Sequence, residues 1–197
     1  MELERYSDWI ETFTGVKFYP LEPRMEEIRL DDIAHALSLL CRYNGHSKKF
    51  YSVAQHSVLC ALEAEFRELP KDIVLRALLH DAQEAYLSDV ARPIKPYLSG
   101  FSKIEKKLQS MIYTKFGLDP RDKRADKLVS DIDYNVLFWE ADVLMKSRGK
   151  IWDNYQEPSL QVLKHLEKEA LLELISGQPR VLEDTYKAIA TTLCKET

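Results

Sequence analysis

The apolar residues of this chain recur at intervals of three and four over long stretches, and 6 glycines and 8 prolines in 197 residues interrupt them rarely. That spacing places one apolar stripe on each of a series of helices. Asp31-Asp32 precede Ile33, Leu37 and Leu40, a single buried stripe. Ser52 is placed to cap a helix running through Val53, His56, Val58 and Leu62 to about Arg67, with Gln55 as its capping-box partner. Pro70 suits the first turn of the next helix, which carries Ile73, Leu75, Leu78 and Leu79. Pro93 and Pro96 mark a break after Asp89. Further helices are predicted over Ser102–Phe116, stopping at Gly117, and over Arg121–Ser147, with Ile132, Val136, Trp139 and Val143 in one seam. Two more fit Ser159–Ser176 and Pro179–Cys194. The sequence contains no convincing strand pair, repeat or low-complexity tract. The expectation is one all-α domain over residues 1–197, a bundle of about seven to nine helices. Thr14–Arg29, with its aromatics and prolines, reads as an extended arm on the surface or near a pocket.

The composition, 45% hydrophobic and 30% charged, is that of an ordinary soluble globular protein. A net charge of -4 argues against a nucleic-acid polymer as partner, although a small anion remains within reach of local cations or a metal. Cys41, Cys60 and Cys194 are odd in number and far apart, so neither a disulfide framework nor a CxxC metal site is expected. The opening MELERYSDWIETFTG lacks the basic and apolar regions of a signal peptide. No apolar run approaches the ~20 residues that span a bilayer. A cytoplasmic protein without a membrane partner is therefore expected.

Histidine and carboxylate are densest in LLHDAQEAYLSDV, residues 78–90. The doublet His80-Asp81 emerges from an apolar helical segment, where a buried carboxylate is costly unless a cation faces it. On a continuing helix Glu84 falls on the same side as the doublet, and Asp89 follows just before the break. His56, among small and apolar neighbours in SVAQHSVLC, reads on its own as a core histidine. In an antiparallel helical hairpin, extra geometry is needed for it to meet the His80-Asp81 end.

The ordered set VAQHS (53–57), LLHDAQEAYLSDVARPIK (78–95) and SDIDYNVLFWEADVLM (130–145) resembles the H…HD…D pattern of the HD-domain phosphohydrolase superfamily. It is most similar to the bacterial 5'-deoxynucleotidases and to phage enzymes of this type that hydrolyse dATP, over roughly residues 30–145. The resemblance implies His56, His80, Asp81 and Asp133 as ligands of one divalent transition metal ion, Mn, Co, Zn, Ni or Fe. Asp131 points to a different helical face from Asp133, and Asp142 reads as a surface carboxylate.

Glu84 and Asp89 are the candidates for orienting or deprotonating the attacking water, with Asp89 alternatively on the sugar hydroxyl. Arg42 resembles the family's substrate-binding arginine, His46 shares a basic loop with Lys48 and Lys49, and Lys95 offers a further phosphate contact. Trp139, Tyr86 and Tyr51 are either core residues or platforms for a base. The expected substrate is a small-molecule nucleotide, first a 5'-(deoxy)nucleoside monophosphate. A dNTP cleaved to tripolyphosphate is the alternative, because Arg42–Lys49 carries more cations than one phosphate needs; the arm at Phe18–Arg24 is a cover for either. A nucleotide-binding regulator without turnover and a purely structural helical protein are the readings outside the enzyme class. An apolar face on the helices after Asp133 allows a homo-oligomer.

Overall fold

The computed structural model describes residues 8–166, 171 and 177–195. Its helices are α1 (Leu30–Leu39), α2 (Val53–Phe66), α3 (Lys71–Leu79), α4 (Glu84–Leu87), α5 (Phe101–Lys115), α6 (Lys123–Leu144), α7 (Val162–His165) and α8 (Pro179–Lys195). The fold is all-α around one continuous core. The helices predicted at 102–116, 121–147 and 179–194 form with ends shifted by a few residues at most, the ordinary fraying of helix termini. Of the helix expected over Ser159–Ser176, α7 forms and Leu171 is helical and buried; the remainder lies outside the described residues. Among the described residues no helix is long and apolar enough to cross a membrane.

The centre of the bundle is α2. It is buried on nearly all sides, including the polar Gln55, His56 and Glu63, because α1, α3, α6 and α8 pack around it. Its start is fixed by the capping box: Ser52 Oγ accepts from Gln55 N at 3.2 Å, and Gln55 Oε1 accepts from Ser52 N at 2.7 Å. Ser52→Ala leaves a buried donor without a partner and should destabilise the protein by about 1 kcal/mol. Thermal unfolding should register this as a drop of a few degrees, and an unchanged melting temperature would show that the cap contributes nothing.

Helix α3 ends where the chemistry begins. Three successive carbonyls of its last turn, which have no partner within the helix, are taken up by side chains. Ala77 O accepts from His80 Nδ1 at 2.8 Å, Leu78 O from the Tyr186 hydroxyl of α8 at 2.9 Å, and Leu79 O from Gln109 Nε2 of α5 at 2.8 Å. The chain can therefore leave the α-helix at His80 without stranding buried acceptors. It continues in tighter turns, with bonds from Ala82 N to Leu79 O and from Glu84 N to Asp81 O, before the single turn of α4. The continuous helix expected through Glu84 is thus broken, and the break sets the direction of the doublet.

The N-terminal arm lies on the surface, but it includes a short strand pair that was not expected. Ile10–Glu11 (β1) and Lys17–Phe18 (β2) pair antiparallel across a turn at Gly15, where φ is +78° and glycine is favoured. Two residues per strand are too few for alternation to show in a sequence. Phe18 is fully buried and stacks on Tyr86 at 4.0 Å, Ile28 is buried, and Thr14 donates twice to Asp32 of α1. Phe18, Pro23 and Ile28 thus anchor to the core a segment whose other residues are exposed or half-buried.

Candidate metal centre

A four-residue turn, Arg67–Pro70, joins α2 to α3 and makes them an antiparallel pair. His56 and His80 lie at equal sequence distance from Glu68 in that turn, so the pairing alone brings them together. The extra geometry anticipated from the sequence is not needed. Their Nε2 atoms stand 3.2 Å apart. Asp133, from the middle of α6, places Oδ1 3.2 Å from His56 Nε2 and 4.0 Å from His80 Nε2. Asp81 places Oδ2 3.2 Å from His80 Nε2 and 3.8 Å from His56 Nε2. The neighbouring acids of α6 go elsewhere: Asp131 pairs with Arg67 at 2.6 Å, and Asp142 with Arg148 at 2.6 Å.

The tautomers follow from the partners. His56 Nδ1 donates to Glu140 Oε1 at 2.7 Å, and His80 Nδ1 donates to the Ala77 carbonyl, since neither acceptor carries a proton to give. In the neutral rings both Nε2 lone pairs then face each other across 3.2 Å. That arrangement is repulsive unless a cation lies between them. Two nitrogens bound to a metal at ~2.0–2.1 Å stand roughly 2.8–3.4 Å apart for angles between octahedral and tetrahedral, which fits.

Electrostatics point the same way. Burial works against the charged form of both histidines, yet nearby carboxylates, Glu140 and Asp133 for His56 and Asp81 for His80, hold both above the ordinary histidine range. Burial opposes ionisation of Asp81 and Asp133 as well, but the two histidines keep both below the usual carboxylate range. Glu140 is fully buried and nevertheless lies at about 2, because Arg42 and His56 outweigh its desolvation. Once the two imidazoles give up their protons, the ionised Asp81, Asp133 and Glu140 face the one guanidinium of Arg42, a balance that favours a cation in the protons' place.

His56, Cys60 and His80 also form a group able to hold a metal ion, with donor atoms within 4.8 Å of one another. Cys60 Sγ lies 3.6 Å from His56 Nε2 and 4.0 Å from its Nδ1, a packing position against the ring edge. Burial pushes the thiol up to about 11, so it stays protonated at neutral pH. The carboxylates of Asp81 and Asp133 are the better pair to complete the donor set.

The centre opens into a cavity of about 440 Å³ whose wall includes Arg42, Tyr43, Asp81, Glu84, Asp89 and Lys95. Arg42 is held by Glu140 at 3.2 Å and Asp81 at 3.6 Å, and its buried Nε meets no hydrogen-bond partner among the described residues. Glu84, buried beside Asp81 and Asp89, is pushed up to about 10 and is protonated at neutral pH; its Oε2 meets no partner among the described residues. Asp89 is displaced in the same direction, first by burial. Ser88 just before it adopts φ +71°, a strained conformation that delivers Asp89 to the cavity. Lys95 is tied to Glu105 at 2.8 Å.

His46 does not join them: it is exposed and does not line the cavity. Lys48 caps the end of α6 instead, donating from Nζ to Val143 O and from its backbone to Leu144 O. No residue of Phe18–Arg24 lines the cavity either. Tyr51, Tyr86 and Trp139 are core residues. Sequence reasoning passed over Glu140, Arg92 and Trp152, of which the last two line the cavity. The signal for Glu140 was present as an acid two helical turns after Asp133, inside the apolar run VLFWEADVL.

No protein-family model matches the chain. The uncharacterized protein YfdR of Escherichia coli (strain K12) is 41% identical over 112 residues, covering 57% of this chain and 60% of that protein. The uncharacterized protein RCAP_rcc00048 of Rhodobacter capsulatus is 34% identical over 117 residues, covering 56% of this chain and 59% of that protein. Each match therefore spans about three fifths of the relative's length.

Proposed function

We propose that this chain is a metal-dependent phosphohydrolase of the HD type that cleaves the phosphate ester of a 5'-(deoxy)nucleoside monophosphate. The observation that carries the reading is the pair of opposed Nε2 atoms of His56 and His80, flanked by Asp81 and Asp133, two carboxylates that line a cavity with arginine in its wall. The H…HD…D resemblance supports it. A bound divalent ion would supply a water of lowered pKa and polarise a phosphoryl oxygen.

The chain's own groups have distinct parts in this reading. Arg42 and Arg92, both in the cavity wall, hold the phosphoryl oxygens. Protonated Glu84 gives its proton to the leaving 5' oxygen. Asp89 orients the attacking water or the sugar hydroxyl. Leu137 and Trp152 form the apolar part of the wall, suited to a base. A monophosphate is favoured over a triphosphate because His46, Lys48 and Lys49, the cations that recommended the longer chain, do not line the cavity.

The test is incubation with Mn, Co or Zn and a panel of dNMPs, NMPs and dNTPs, with products separated by chromatography. Nucleoside and orthophosphate from monophosphates are expected. Tripolyphosphate from a dNTP would favour the alternative substrate, and no turnover with any metal would sink the enzyme reading.

Metal binding should also depend on pH with a defined sign. Both histidines are raised above 6.5 without metal, so below those values a proton occupies the lone pair the ion needs. Apparent affinity should climb as pH rises through the histidine range, by up to about tenfold per unit for each proton displaced. Titration calorimetry at pH 6, 7 and 8 would show it; a flat profile would mean that these imidazoles are not ligands.

A further inference from the structure

We propose that Glu140 is a positioning residue that holds the metal side and the phosphate side of this site in register, an inference that rests on the metal-site reading above. Four side chains donate to its buried carboxylate, and they divide between its two oxygens. Oε1 accepts from His56 Nδ1 at 2.7 Å and from the Tyr51 hydroxyl at 3.0 Å. Oε2 accepts from Arg42 Nη2 at 3.2 Å and from the Tyr43 hydroxyl at 2.5 Å. One oxygen therefore orients the ring whose Nε2 faces the centre, and the other orients the guanidinium that faces the cavity.

The backbone is arranged to serve this one acid. Arg42, Tyr43 and Tyr51 lie at the two ends of a loop closed by the bridge between Cys41 and Ser52. Tyr43 and Asn44 both adopt left-handed conformations, φ +57° and +49°. Side chains other than glycine take that region at a cost, and two in succession persist only where tertiary contacts impose them. Here the hydrogen bond from Tyr43 to Glu140 is such a contact. A carboxylate needed only for packing has no call for four donors, and an apolar residue would fill the space without the desolvation of a buried charge.

An acid behind a liganding histidine fixes its tautomer and raises its basicity, and losing one typically weakens metal binding ~10–100-fold. Glu140→Gln keeps the shape and an acceptor oxygen while removing the charge. Binding of Co²⁺, followed by its visible absorption under chelator competition, is expected to weaken in this variant by ~10–100-fold with helix content and cooperative unfolding retained. The Nδ1 proton of His56, expected far downfield in the wild-type NMR spectrum because of its short bond to Glu140, should shift upfield in the variant. Should Glu140→Gln fail to fold, the double variant Tyr43→Phe/Tyr51→Phe strips two of the four donors and leaves His56 and Arg42 intact; several-fold weaker Co²⁺ binding is expected of it. A folded Glu140→Gln protein with wild-type Co²⁺ affinity and an unmoved His56 proton would overturn the proposal while leaving the metal site standing. Failure of the wild-type protein to bind Co²⁺ would overturn both.

Discussion

Asp81→Ala is expected to abolish metal retention and turnover together. Asp81 is placed to bring a negative oxygen to His80 and His56 at once while forming an ion pair with Arg42. Its removal takes away one donor and one negative charge, and a chelator should then strip the ion from the two imidazoles and one carboxylate that remain. A bound ion contributes several kcal/mol of transition-state stabilisation, so turnover should fall by at least ~10³-fold. The fold should survive, because the side chain lies at the cavity wall, about one fifth exposed. Elemental analysis after dialysis against chelator, run beside a melting curve, separates the two effects. Full metal content with full turnover would remove Asp81 from the site.

The largest loss of stability should come from Trp139→Ala. Trp139 is among the largest fully buried side chains, in the α6 seam with Ile132 and Val136. Its Nε1 meets no acceptor among the described residues, so the contribution is packing alone. Truncation creates a cavity and should cost about 3–5 kcal/mol. The melting temperature should fall by on the order of 10 °C. Had Trp139 stacked on a base, the variant would instead raise KM with little change in melting. That outcome would contradict its place in the core.

These two residues mark what the sequence discloses readily. The Trp139 seam and the Ser52–Gln55 cap depend on neighbours within one helix, and local spacing reads them directly. The meeting of His56 with His80 was also within reach, since a four-residue turn fixes which parts of an antiparallel pair face each other. The sequence withheld what depends on distant segments. Glu140 looks like any acid on an amphipathic helix until the loop from Arg42 to Tyr51 folds over it. The break of α3 at His80 relies on Tyr186 and Gln109 receiving its carbonyls, and neither residue is near it in sequence. His46 and Lys48 misled for the converse reason: a loop written as basic turns most of its charge outward.

The choice between the two donor sets, His56/His80/Asp81/Asp133 and His56/Cys60/His80, is open to direct measurement by X-ray absorption on the zinc-loaded protein. A first shell of nitrogen and oxygen alone at ~2.0–2.2 Å is expected. A sulfur scatterer at ~2.3 Å would place Cys60 on the metal and contradict that expectation.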